Sequence, residues 1–183
     1  LIFYMFSSYF TFTYFYSLFS ICGLLIELFF SDFKINKLTP QLIVSNYKCV
    51  SETVLTNVFL TSLPIFVISE LLFSYSYTNI TYLTLFIQYC IVFILGINID
   101  YVIHRLRHSQ YLIKYHEEHH SYNQLFGFMT FCTHKYDFYI ALIPIIFPIL
   151  FGFNQMVINH WIAFYLCKHI IVDHSNLKDI GNF

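Results

Sequence analysis

Apolar and polar positions fall into long blocks along this chain. Five apolar runs stand out, at about Tyr9–Phe30, Val54–Phe73, Tyr82–Ile99, Phe138–Phe153 and Met156–Val172. A helix that crosses a bilayer needs about 20 mostly apolar residues, and the first three runs are of that order. Glu27 and Glu70 are the only charges in the first two runs, each near an end, and the third has none. Pro64 lies inside the second run and predicts a kink of the kind membrane helices tolerate. The last two runs are shorter and joined by the small turn Gly152-Phe153-Asn154-Gln155. With Pro144 and Pro148 in the first of them, they predict a tilted or re-entrant hairpin.

The polar blocks between the runs set the topology. Residues 31–52 read as a connector holding Lys34, Lys37 and Lys48, residues 74–80 as a short uncharged turn, and residues 100–136 as a long, histidine-rich segment. All nine Lys and Arg residues fall within 34–48, 105–135 and 168–178. The positive-inside rule then puts these three regions in the cytosol and the uncharged turn in the lumen. The predicted fold class is all-α: an integral membrane protein with about four to five membrane helices and a cytosolic histidine-rich helical cap.

Composition strengthens this reading. Hydrophobic residues make up 58% of the 183 residues and charged ones 10%, with a mean hydropathy of +0.65. Soluble domains carry about 25% charged residues, so this chain has too few to cover itself with a solvated surface. The net charge of −1 gives no basic footprint for nucleic acid. Five scattered cysteines, with no CxxC, read as buried thiols rather than a disulfide framework. The N-terminal run lacks the basic flank and small-residue cleavage site of a signal peptide, so it reads as a membrane segment. The length suits one domain, 1–183. The first residue is Leu rather than Met, and the expectation is a fragment incomplete at its C-terminus.

The chemistry is concentrated in residues 104–120, HRLRHSQYLIKYHEEHH, where five histidines fall within seventeen residues. His104 and His108 are spaced i, i+4 and share one helical face. His116, His119 and His120 share another. Two such faces brought together can enclose metal ions, and imidazole suits iron and zinc. Asp100 lies one turn before His104, where it could accept a ring N–H and orient that ligand. Glu117 and Glu118 lie between ligands and could support them. A solvated surface helix is the bland alternative, and five histidines in two facial patterns argue against it.

His104–His108 forms an HxxxH box and His116–His120 an HxxHH box, with Tyr101 before the first. Phe126-Gly127, then His134 and Asp137, follow the second, and Asp173-His174-Ser175 closes the last apolar run. In these motifs and their order, residues 100–176 resemble the sterol desaturase/fatty acid hydroxylase superfamily, the membrane-bound di-iron oxygenases. The resemblance implies two iron ions, for which zinc can substitute, held by His104, His108, His116, His119, His120 and His174. Asp100, His134, His169 and Asp173 become candidate supporting residues around them. His134 reads equally well as a histidine of the cytosolic face, and His160, beside Trp161, as a packing histidine.

The implied activity is O2-dependent oxidation, by hydroxylation or desaturation, of a C–H bond in a sterol or other lipid, with C4-methyl sterol oxidation the nearest type. The implied electron source is an external cytochrome b5-type donor, since the sequence carries no dinucleotide-binding or haem motif. The implied location is the endoplasmic reticulum membrane, multi-pass, with the boxes facing the cytosol. One departure stands out. The family carries a third HxxHH-like box after the Asp…His-Ser element, and no histidine follows His174 here. Truncation explains this most simply, and a catalytically inactive homologue that binds lipid or metal is the alternative. A metal transporter or a bis-histidine haem protein fits less well, because these histidines cluster just outside the apolar runs.

Overall fold

A computed structural model of the chain describes residues 6–29, 39–73, 80–120 and 127–173. Every regular element among the described residues is helical. In chain order they are α1 (Ser7–Phe29), α2 (Pro40–Leu55), a π-helical turn (Thr56–Thr61), α3 (Ser62–Phe73), α4 (Tyr82–Arg107) and α5 (Ile113–His120). A 3-10 turn (Gly127–Phe131), α6 (Lys135–Leu150), α7 (Gln155–Cys167) and a second π turn (Lys168–Asp173) complete them.

Three stretches are long and apolar enough to cross a membrane by length and composition: Ser7–Ile26, Val50–Leu72 and Tyr82–Arg107. They overlap the first three apolar runs, but the third extends eight residues beyond the expected end at Ile99, so that His104 lies on the same continuous helix rather than in a separate cap. The connector expected over 31–52 is helical in its second half, because α2 begins at Pro40. Proline suits the first helical turn, where its missing N–H would have no partner in any case. The irregularity expected at Pro64 lies one turn earlier, where the Ser62 N–H donates to the Asn57 carbonyl five residues back. Pro64 has no N–H to continue the regular ladder.

The last two apolar runs form α6 and α7, of 16 and 13 residues. At 1.5 Å per residue these are about 24 and 20 Å long, short of the roughly 30 Å hydrocarbon layer. Gly152, at φ 64°, ends the first helix in the left-handed conformation that suits glycine. Asn154 then caps α7 by accepting from the Met156 N–H at 2.9 Å. Pro144 and Pro148 stay inside α6. Pro148 cannot donate to the Pro144 carbonyl, and the Trp161 indole N–H of α7 does so instead, at 2.8 Å. This is why a helix with two prolines is stable here: its freed backbone acceptor has a buried partner.

α1 packs along α7, and α4 along α6. One cluster of buried apolar side chains runs through them, with Phe12 and Tyr16 of α1, Phe66 of α3, Phe131, Phe138 and Trp161 among its largest members. Gly96 of α4 faces Trp161 so closely that an added Cβ would lie 2.3 Å from the ring. Serine and threonine on α1 are accommodated by bonding backward, with Thr13 donating to the Tyr9 carbonyl and Ser17 to the Thr13 carbonyl. At the end of the bundle where α1 and α7 begin, buried Glu70 accepts from the Ser8 N–H at 2.7 Å. It thereby caps the first turn of α1 from α3. α4 is the least covered helix, with Tyr82, Phe86, Ile94, Tyr101, Val102 and Leu106 exposed along it.

Candidate metal centre

The two histidine boxes sit on consecutive helices that fold back on each other. His104 and His108 occupy the last turn of α4 and its cap. The chain reverses through 108–112, stitched by Ser109 N–H to the Leu106 carbonyl and Ile113 N–H to the Ser109 carbonyl, both at 2.9 Å. α5 then carries His116, His119 and His120.

The five rings lie against one another. His104 and His108 have centroids 4.8 Å apart, as do His108 and His116, and His108 and His120. His116 and His120 are 4.5 Å apart, and His119 stacks on His116 at 5.4 Å. The Nε2 atoms of His104 and His108 are 3.2 Å apart, and those of His116 and His120 2.9 Å. Nitrogens bound to one tetrahedral zinc at about 2.0–2.1 Å lie roughly 3.3 Å from each other, so the His104–His108 pair has nearly the separation of two ligands on one ion, and the His116–His120 pair is closer, at hydrogen-bond distance. Ligand atoms of His104, His108 and His116 all lie within 4.8 Å of one another. His116 and His119 are buried, whereas His104, His108 and His120 are open to the outside. This is a half-open, imidazole-only set, with donors that suit zinc, iron, copper or nickel.

The side chain beneath the cluster is Asp137, fully buried at the start of α6. Its Oδ1 accepts from Arg107 Nε at 2.7 Å, and its Oδ2 accepts from Arg107 Nη2 and Thr133 Oγ1, both at 2.5 Å. The same Oδ2 lies 3.1 Å from His116 Nδ1. Burial alone would raise the carboxyl's pKa. The bonds from Arg107, His116 and Thr133 outweigh it and hold Asp137 well below the usual carboxylate range. His108 and His120 are shifted the other way from a paired histidine. Burial first, then the neighbouring rings and Arg107, push both below the ordinary 6.5 and favour neutral imidazole, the form that binds metal. Behind Thr133, Asn57 from the first π turn donates to the carbonyls of Phe131 and Thr133 at 3.0 and 2.9 Å.

The structure therefore brings together His104, His108, His116, His119 and His120. It does not bring the expected supporting residues to them. Asp100 does not orient His104; it accepts from Tyr165 Oη at 2.8 Å and faces His169 Nε2 at 3.4 Å and Lys168 Nζ at 3.5 Å. Asp173 lies 2.8 Å from His169 Nδ1 and 2.7 Å from Lys168 Nζ. Asp100, His169 and Asp173 thus build an ion-pair cluster of their own, because α4 meets α7 along the side of Asp100. His134 caps α6 by accepting from the Tyr136 N–H and stacks on Tyr115 at 5.2 Å. His160 shares a hydrogen bond with Tyr89. Glu117 is exposed, the Glu118 side chain is outside the described set, and His174 lies outside the described residues. The sequence reading named Asp137 only as a motif residue and passed over Arg107, Thr133 and Asn57. An acidic residue immediately before an apolar run was the available signal for Asp137.

The fold and the site define a chain whose regular elements, among the described residues, are all helical, with three stretches of membrane-crossing length and a histidine cluster that could hold a metal. Compared with protein-family profiles, curated proteins and solved structures, the chain has no match.

Proposed function

We propose that this chain is a membrane-bound metalloenzyme of the histidine-box oxygenase type, oxidising a C–H bond of a sterol or other lipid with O2. The observation that carries the reading is the convergence of five imidazoles from two successive helices, with buried His116 backed by a carboxylate. His104, His108, His116, His119 and His120 would hold iron, with His174 a further ligand. Iron held there supplies O2 activation.

The chain's own contribution is placement. α1, the stretch Val50–Leu72 and α4 are the membrane helices of this reading, and the α6–α7 hairpin is an inserted element that stops short of spanning. The site then lies at the cytosolic edge of the endoplasmic reticulum bilayer. Tyr101, Val102 and Leu106 form an exposed surface beside His104, along which a bilayer-dissolved substrate can approach. Buried His116 and His119 exclude water from the inner side. Electrons come from an external cytochrome b5-type donor.

The test uses the chain in lipid nanodiscs. Iron per chain is measured first, then sterol oxidation with O2 and a reduced b5-type donor. The expected result is bound iron and turnover, both lost in His119→Ala and His120→Ala. Turnover that survives those substitutions overturns the reading, as does an absence of bound metal in the parent chain. A second reading is a homologue that binds one metal without turnover. It is favoured by the tight grouping of the His104, His108 and His116 ligand atoms, and the same assay separates it by stoichiometric metal without oxidation.

A further inference from the structure

We infer that Asp137 is the positioning residue of the histidine cluster, fixing both the proton on His116 and the register between α4 and α5. The inference rests on the metal-centre reading. It concerns a residue that ligates nothing.

The geometry is that of a hub. Asp137 is fully buried, and three segments of the chain converge on its two oxygens. Arg107 reaches it from the end of α4 through both nitrogens of a planar fork, at 2.7 and 2.5 Å. His116 reaches it from α5 at 3.1 Å, and Thr133 from the loop before α6 at 2.5 Å. Arg107 adjoins His108 in the chain, so the fork holds the first box while the imidazole bond holds the second. The two boxes come to a common point because one carboxylate holds an element of each.

The proton follows from the same contacts. A carboxylate facing Nδ1 requires that nitrogen to carry the hydrogen. In the neutral ring Nε2 of His116 then carries the lone pair, and it is the nitrogen turned towards His120. A carboxylate behind a ligating imidazole fixes the tautomer and raises ligand basicity, and removing such a partner typically weakens metal affinity about 10–100-fold. Asp137 in turn is fixed by Arg107 and Thr133, and Thr133 by the Asn57 carboxamide on its carbonyl. A residue of the first π turn thereby supports the metal site from across the bundle.

The experiment measures cobalt(II) binding to the full chain in nanodiscs by its visible d–d bands, alongside helicity by circular dichroism. Asp137→Asn keeps the size of the side chain and removes its charge. It should keep parental helicity, bind cobalt about 10–100-fold more weakly and show altered d–d bands. Nitrogen NMR of histidine-labelled, metal-free chain supplies a readout independent of any metal: His116 should be the Nδ1–H tautomer in the parent and a mixture in Asp137→Asn. If Asp137→Asn fails to fold, Arg107→Lys is read instead. It keeps the charge but loses the fork, and should weaken cobalt binding several-fold with altered bands. A parent chain that binds no cobalt overturns the metal-centre reading. A parent that binds cobalt, with a variant that binds equally well or a His116 tautomer that is Nε2–H, overturns this inference alone.

Discussion

Two polar clusters lie among the described residues of this bundle, one of five histidines and one around the single His169, and their carboxylates separate them. Around His116, five rings lie against one another and the Asp137 carboxylate stands behind one of them, at Nδ1 of His116. Around His169, carboxylates stand at both ring nitrogens, Asp100 at 3.4 Å and Asp173 at 2.8 Å, and Lys168 bridges the two acids. The second cluster is electrostatically closed, with each charge facing its opposite. The first is open: Nε2 of His104 faces Nε2 of His108, and Nε2 of His116 faces that of His120, an arrangement in which a cation could replace the shared proton. The same residue type is a candidate ligand in one place and half of an ion pair in the other, and only the neighbours differ.

The largest expected effect strikes the open cluster. His116→Ala removes the ring against which the other four pack, and metal retained per chain should fall to background, read by elemental analysis. Undiminished metal would remove the distinction between the clusters. Acidification comes next. In the folded chain His108 and His120 are held below 6.5, so beneath that pH the unfolded chain takes up more protons than the folded one. Their contribution to stability is complete above 6.5 and is lost as pH falls through their folded values. Asp137, also held low, contributes fully above its ordinary 3.8 and loses that contribution further down. His169, held above 6.5 by Asp100 and Asp173, acts in the opposite sense, so the test uses metal-free His169→Gln chain in detergent: its melting temperature should drop from pH 8 to pH 5, and a rise over that interval would contradict the assignment.

Gly96→Ala should separate the clusters by their supports. The new methyl would meet the indole of Trp161, which is pinned by its bond to the Pro144 carbonyl and by Phe93, Phe147 and Phe164. Overpacking of this kind costs about 1–3 kcal/mol. It pushes α4 from α7, so it should disturb the Asp100–His169 contact more than the boxes, which depend on α4, α5 and α6. Thermal melting with metal titration checks both parts. The smallest effect is expected from His169→Gln. Losing its contacts with charged Asp100 and Asp173 should cost about 1.5–3 kcal/mol of stability, and the small effect is on the metal, whose binding should stay at the parental level. A loss of metal would show that the closed cluster serves the open one after all.

The helical fold was legible because it rests on local pattern. Runs of apolar residues near 20 long overlap Ser7–Ile26, Val50–Leu72 and Tyr82–Arg107. The helical-face spacing of the boxes was legible for the same reason, since i, i+3 and i+4 follow from helix geometry alone. The start of α2 inside a polar connector was missed because three lysines outweighed a proline well suited to a first turn. The support for His116 was missed because Asp137 lies 21 positions along the chain and Asn57 lies 59 positions before His116, separations that no local spacing encodes. Asp100 was assigned to His104 because it is one turn away on the same helix. The arrival of α7 gave it Tyr165 and His169 instead.

What the sequence determined by itself is a set of apolar helices and two imidazole-bearing faces, because helix formation and side-chain periodicity are properties of short segments. Which carboxylate stands behind which histidine was decided only when α4, α5, α6 and α7 packed together. Partner choice among buried charges depends on distances across the bundle, and those are fixed by the packing of helices far apart in the chain, as when Gly96 lets α4 come up against Trp161.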